Sequence, residues 1–153
     1  MKSFFDPEHV AWREVVGDAE LPYKVRHEYT ILGHDVGAGT LDMVLRWEGD
    51  GGHCPMHRHV STTSVLVLAG EQHTWDLNPD GSQGKHTVRQ AGEYALNLGD
   101  GPPHLERGGD DGAIVFFGGH NAAGILYELV APDMTAIAEV TIEGLVEDWK
   151  AHT

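Results

Sequence analysis

His57 and His59 stand two residues apart just before an apolar run, Ser64 to Ala69, and His104 follows Pro103 further along the chain. Residues two apart in a strand share a face. Both imidazoles would therefore look into one interior, where His104, beyond a turn and two more strand-like runs, offers a third nitrogen. Three imidazoles form a borderline ligand set that suits iron, nickel, copper or zinc and leaves one side of the ion open. With no carboxylate among them, a bound Fe²⁺ keeps its full charge. Such an ion favours a partner that brings negative charge, for instance an enolate, a β-diketonate or a carboxylate. Zn²⁺ or Ni²⁺ are alternative occupants, since affinity order alone does not exclude them.

Other side chains are candidates to line such a site. His53 and Cys54 precede the histidine pair, and Cys54 reads as a small buried residue rather than a ligand. His73, with Trp75 two residues on, is expected to face the same interior. Glu106 shares the face of His104 if the strand is regular, which makes it the carboxylate placed to support a ligand. Phe116, Leu66, Trp75, Tyr94 and Met43 are candidates for an apolar pocket wall, although core packing explains them equally well. Arg46, Arg58 and Arg107 are expected on outer faces or rims. His86, His120 and His152 have no supporting context.

The elements that would hold these residues are short strands. His27 to Leu32 and Leu41 to Trp47 flank a turn through Gly37 and Gly39, and Leu41, Met43, Leu45 and Trp47 share one face. Ser64 to Ala69 is apolar enough to be buried on both faces. Gly70-Glu71 reads as a tight turn, after which Gln72 to Leu77 returns. Asn78 to Ser82 is a strong turn signal. Lys85 to Arg89 and Glu93 to Leu98 follow, then the loop Gly99 to Pro103 that delivers His104. Ala113 to Phe117, Ile125 to Val130 and Ile137 to Ile142 complete the set, and Leu145, Val146 and Trp149 at helical spacing predict a short C-terminal helix over 143–153. Residues 1–23 read as an N-terminal arm, with Val10, Trp12, Val15 and Val16 able to supply an edge strand. About ten short strands predict an all-β fold, a closed antiparallel barrel or jelly roll, with its core over about 24–142.

Composition bounds the rest. A chain of 153 residues with 41% apolar residues and 20 glycines is expected to form one turn-rich domain. A net charge of −14 speaks against nucleic acid or an anionic membrane as partner. One cysteine allows no internal disulfide. Asp6 and Glu8 fall where a secretory signal needs an apolar run, and no segment approaches a membrane helix, so a cytoplasmic location is expected.

The stretch Gly51 to Gly70 resembles the first motif of the cupin superfamily: Gly, five residues, His-x-His, three or four residues, Glu, six residues, Gly. Gly51, His57, His59 and Gly70 fit; Thr63 or, on the longer spacing, Ser64 stands where the family places Glu. Gly92, Gly99-Asp100-Gly101 and His104 resemble the second motif, with Gly99 in place of Pro and Gly108 in place of Asn. The resemblance covers roughly 41–130 and implies a cupin barrel. The missing Glu is similar to the three-histidine group typified by the acetylacetone-cleaving dioxygenase. That likeness implies His57, His59 and His104 as ligands of Fe²⁺, with O₂-dependent cleavage of a carbon–carbon bond in a small enolisable carbonyl compound such as a β-diketone. Other cupin roles are a non-catalytic Zn²⁺-binding protein of sensing or structural role, and an isomerase or sugar-modifying enzyme. Unpaired sheet edges and an apolar tail predict a homodimer.

Overall fold

The alternation of β3 (Thr40–Trp47) is realised in space: Leu41, Leu45 and Trp47 are buried and Met43 is half-buried on their face, while Asp42 is exposed. This computed structural model describes residues 5–153, so the first four residues of the expected N-terminal arm lie outside the described residues. Ten strands form one curled antiparallel sheet, a half-barrel closed at one end by a single α-helix. The path runs β1 (Arg13–Val16), β2 (Arg26–Asp35), β3, β8 (His104–His120), β4 (His57–His59), β9 (Ile125–Val130), β10 (Ala136–Thr141). Off that path, β5 (Thr62–Leu77) pairs with β6 (Gln83–Gln90), β7 (Tyr94–Asn97) and β8. The arm supplies an edge strand, β1, in register with β2 from Arg13↔Tyr29 to Val16↔Arg26.

Two long strands replace three expected ones and also carry His104. Ser64 to Ala69 and Gln72 to Leu77 lie within β5, and the His104 segment and Ala113 to Phe117 lie within β8. The two strands pair along most of their length, with irregular register between Val67 and Ala69 and between Gly70 and Gln72. Gly70 sits at that bend with φ +70°, and a Cβ there would lie 2.2 Å from the Gly112 carbonyl, so the close backbone approach admits only glycine. Across the bend the inward set changes parity, from Val65 and Val67 to Gln72, Thr74 and Asp76.

The main core joins Tyr29, Leu45, Trp47, Val65, Val67, Val115 and Phe117 to the helix residues Ile142 and Val146. Helix α1 (Ile142–Ala151) starts where Thr141 Oγ1 accepts from the Gly144 amide at 3.0 Å, one residue before the expected boundary. Burying Ile142 and Val146 stabilises the docked helix by roughly 1.5–3 kcal/mol each. Its far end is tied to the arm, since Trp149 Nε1–H donates to the Ala11 carbonyl at 3.0 Å. Arg13 and Asp148 form a two-point ion pair at 3.1 and 3.2 Å, and the Tyr29 hydroxyl donates to the same carboxylate.

Candidate metal centre

Two strands bring His57, His59 and His104 together. β4 places its two histidines two residues apart on the inner face, and His57 is the register partner of His104 on β8. One nitrogen from each ring lies within 4.8 Å of the other two, and all three side chains are buried. The rings of His59 and His104 are stacked at 5.1 Å with 14° between their planes.

Hydrogen bonds fix two of the tautomers. His57 Nδ1 is 2.7 Å from the Pro55 carbonyl, which can only accept, so Nδ1 carries the proton and Nε2 keeps its lone pair. His59 Nδ1 lies 3.2 Å from Thr63 Oγ1. The Ser61 hydroxyl donates to the Leu126 carbonyl at 3.0 Å, and Thr63 Oγ1 lies 3.0 Å from Ser61 Oγ. Thr63 therefore donates to Ser61 and accepts from His59 Nδ1–H, leaving His59 Nε2 free for an ion. Burial, together with the neighbouring imidazoles, brings His57 down to about 4 and holds His59 well below its ordinary value. Both are neutral at physiological pH. A set of buried, neutral, oriented imidazoles is the donor chemistry that a borderline divalent ion requires.

Thr63, not Ser64, faces this site. Thr63 is 4% exposed beside His59, whereas Ser64 lies on the other face of β5 opposite Leu96 and Gly118. Glu106 is 2% exposed, with Oε2 3.6 Å from His104 Nε2. Burial alone would push its carboxyl up; the hydrogen bond with His104, the nearby imidazoles and a hydrogen bond from Gln72 hold it below the ordinary glutamate range.

Two cavities meet at the histidines. A chamber of about 310 Å³, lined by His57, Met43, Leu45, Phe117, Tyr127 and Leu129 among others, is mostly apolar and ends at the Arg13–Asp148 pair. A polar vestibule of about 360 Å³ reaches His59 and His104. His59, Glu106 and Phe117 border both.

Five expected pocket residues lie elsewhere. His73 and Trp75 fall on the outer face of β5 because the bend at Gly70 shifts the alternation. There His73 bonds Glu71 at 3.0 Å and His86 Nε2 at 2.9 Å, and Trp75 stacks on His86 at 4.5 Å and packs on a second small core of Met56, Leu77, Leu105 and Val130. Phe116 is likewise outward, opposite Val44 and Leu66, and its neighbour Phe117 lines the cavities. Leu66 and Tyr94 join Phe116 outside, while Met43 lines the chamber. Cys54 is buried in the chamber wall, its thiol pushed up by burial. His53 lies against Tyr23 and Trp75, and His120 is exposed at the end of β8.

Sequence reasoning did not single out His27, Tyr127, Gln72 or Phe117. Tyr127 was within reach, since it alternates with Leu129 in an obvious strand; its ring centroid is 5.1 Å from that of His57, and burial raises its hydroxyl, which stays protonated. His27 carries no local signal. It lines the chamber, burial brings it down to about 4, and its Nδ1 finds no hydrogen-bond partner among the described residues.

No family model and no curated protein sequence matches this chain. Solved structures match closely in shape and weakly in sequence. An acetylacetone dioxygenase from Acinetobacter johnsonii superposes with a TM-score of 0.70 at 12% identity, covering 100% of this chain and 93% of that one. A proposed acetylacetone dioxygenase from Methylibium petroleiphilum gives 0.69 at 16% identity, covering 97% and 94%. An RmlC-like cupin protein from Ralstonia eutropha gives 0.68 at 15% identity, covering 95% and 83%. At these identities the likeness is one of fold: the chain has the cupin fold.

Proposed function

We propose that this cupin-fold chain is a mononuclear non-haem Fe²⁺ dioxygenase that cleaves a carbon–carbon bond of a small enolisable carbonyl compound of the β-diketone kind. The observation that carries the reading is the convergence of three buried histidines, two with their lone pairs fixed by hydrogen bonds, on one point beside an apolar chamber. His57, His59 and His104 are the proposed ligands. The acetylacetone dioxygenase among the solved structures of like fold supports the direction of the reading.

A bound ferrous ion supplies Lewis acidity toward enolate oxygens and electrons for O₂. The chain's own residues do the rest. Pro55 and Thr63 hold two ligand rings in orientation. Met43, Leu45, Phe117 and Leu129 exclude water from the chamber, whose volume lies at the small end of small-molecule sites. Glu106 is the buried carboxylate beside His104, placed to accept the proton released when a dicarbonyl enolises. Tyr127, protonated and next to His57, is placed to donate to a carbonyl oxygen.

The working unit in this reading is a homodimer. Phe116, Leu66 and Tyr94 continue a cross-strand row on the outer face of the sheet that begins at the buried Thr30 and Val44, and Tyr94, Leu32 and Leu96 are exposed there.

The test is metal analysis of protein purified from iron-supplemented medium, followed by O₂ uptake with a panel of small diketones. Stoichiometric iron with diketone-dependent O₂ consumption is expected. Iron-loaded protein that consumes no O₂ with any diketone overturns the reading.

A further inference from the structure

Cations are scarce in this chain, ten lysines and arginines against 24 acidic residues. Five of them are committed to ion pairs: Arg13 pairs with Asp148, Lys24 with Asp50, Arg26 with Glu14, Arg46 with Glu28 and Arg58 with Glu128. Arg89 and Lys85 make no ion pair among the described residues, yet both lie on the inner face of β6 and line the vestibule that ends on His59 and His104. Arg89 is half-buried. Among the described residues its one hydrogen bond runs from a guanidinium nitrogen to Gln72 Oε1 at 3.3 Å, a neutral acceptor. Gln72 is 1% exposed, and its amide turns the other way to bond Glu106, the neighbour of His104. Arg89 is thus anchored toward the histidine centre through one buried amide and forms no ion pair among the described residues. Asp76 and Asp100 also border the vestibule, and neither pairs with it.

An unpaired guanidinium directed into a cavity is a receptor for a carboxylate, since its planar fork matches two oxygens at once. We infer that the substrate is an acid, a β-dicarbonyl compound with a carboxylate at one end. Its carboxylate is held in the vestibule by Arg89, with Lys85 at the rim; its enolisable dicarbonyl lies at the three histidines; and its other, apolar end enters the chamber. The two unlike cavities that meet at the histidines, one apolar and one polar, correspond to the two unlike ends of such a molecule. This inference rests on the reading above for the reaction, and it adds the class of substrate and the residue that selects it.

Acetopyruvate and acetylacetone separate the two ideas, because they differ only in a carboxylate replacing a methyl group. Each is titrated calorimetrically, without O₂, into the nickel-loaded full-length chain and its Arg89→Gln and Arg89→Lys variants. The native chain is expected to bind acetopyruvate at least tenfold more tightly than acetylacetone. Arg89→Gln should bring that ratio near one, and Arg89→Lys should restore part of it, since the charge returns without the fork. O₂ uptake by the iron-loaded chain is measured with both compounds. A carboxylate preference that is absent from the native chain, or that survives Arg89→Gln, overturns the inference even if acetylacetone is cleaved. A preference that depends on Arg89, with no O₂ uptake from either compound, keeps the inference and overturns the dioxygenase reading.

Discussion

The hydroxyl of Thr63 lies 3.2 Å from Nδ1 of His59, at the position where cupin sequences usually carry a glutamate. A residue that cannot ligate has become the one that orients a ligand. Replacing Thr63 with Val removes that acceptor and should weaken metal binding about 10–100-fold, whereas Thr63→Ser should stay near the native value. Competition with a zinc chelator measures both; equal affinities for Val and Ser would show that the hydroxyl does not orient the ring.

Placing a carboxylate at this position tests the value of a neutral ligand set. Thr63→Glu should hold or tighten metal while lowering diketone binding and turnover, because it occupies a coordination position and cancels one unit of charge. Ser64→Glu should leave both close to native, since Ser64 points to the opposite face of β5. Native turnover in both variants would end the idea that the missing glutamate shapes the reaction.

Single replacement of His57, His59 or His104 by Ala should remove most bound metal and leave the fold intact, because the main core is built from Tyr29, Leu45, Val67, Val115, Phe117 and their neighbours. Metal analysis and far-ultraviolet circular dichroism together decide it. Full retention of metal in any one variant would remove that residue from the ligand set.

Acid should destabilise the metal-free protein over a defined window. His27 and His57 are brought down to about 4 by burial, against an ordinary value near 6.5. Between those values the unfolded chain binds protons that the folded chain does not. The stability they contribute is therefore fully present above about pH 6.5 and lost as pH falls toward 4. At pH 5 the loss is up to about 2 kcal/mol for each histidine. His27→Gln should flatten the profile of denaturation midpoint against pH by its share; an unchanged slope would mean that His27 titrates normally in the fold.

The outer row through Phe116, Leu66 and Tyr94 predicts a dimer at micromolar concentration by light scattering. Tyr94→Arg combined with Leu96→Asp should yield monomers that keep their metal. A native monomer, or a double variant that remains dimeric, would place the interface elsewhere or remove it.

The histidine triad was legible in the sequence because β4 is too short to lose its alternation, and because the turns between it and His104 are marked by glycine and proline. The barrel was legible for the same reason. His73, Trp75 and Phe116 were not, since each lies beyond an irregularity in the pairing of β5 with β8, and one extra residue moves a whole strand to its other face. Glu106 kept its expected face, being two residues from His104 with no bulge between. His27 was invisible locally: its surroundings come from Arg13, His53 and Glu106, residues that only the folded chain assembles. Arg89 looked like any strand cation until the folded chain set it on the vestibule against the neutral amide of Gln72.

The pair Arg13–Asp148 joins residues 135 positions apart in the chain, whereas the three histidines span only 57 to 104. That difference imposes an order on assembly. Local and mid-range strand pairing closes first and the contact with the longest loop last, so the metal-binding half can form while the chamber still stands open to water at its far end. During synthesis the histidines leave the ribosome well before Asp148, which gives an ion a period of access from a side that the helix later covers. The helix carrying Asp148 is therefore the final closure of the chamber, and its local unfolding would reopen that end without disturbing a single ligand.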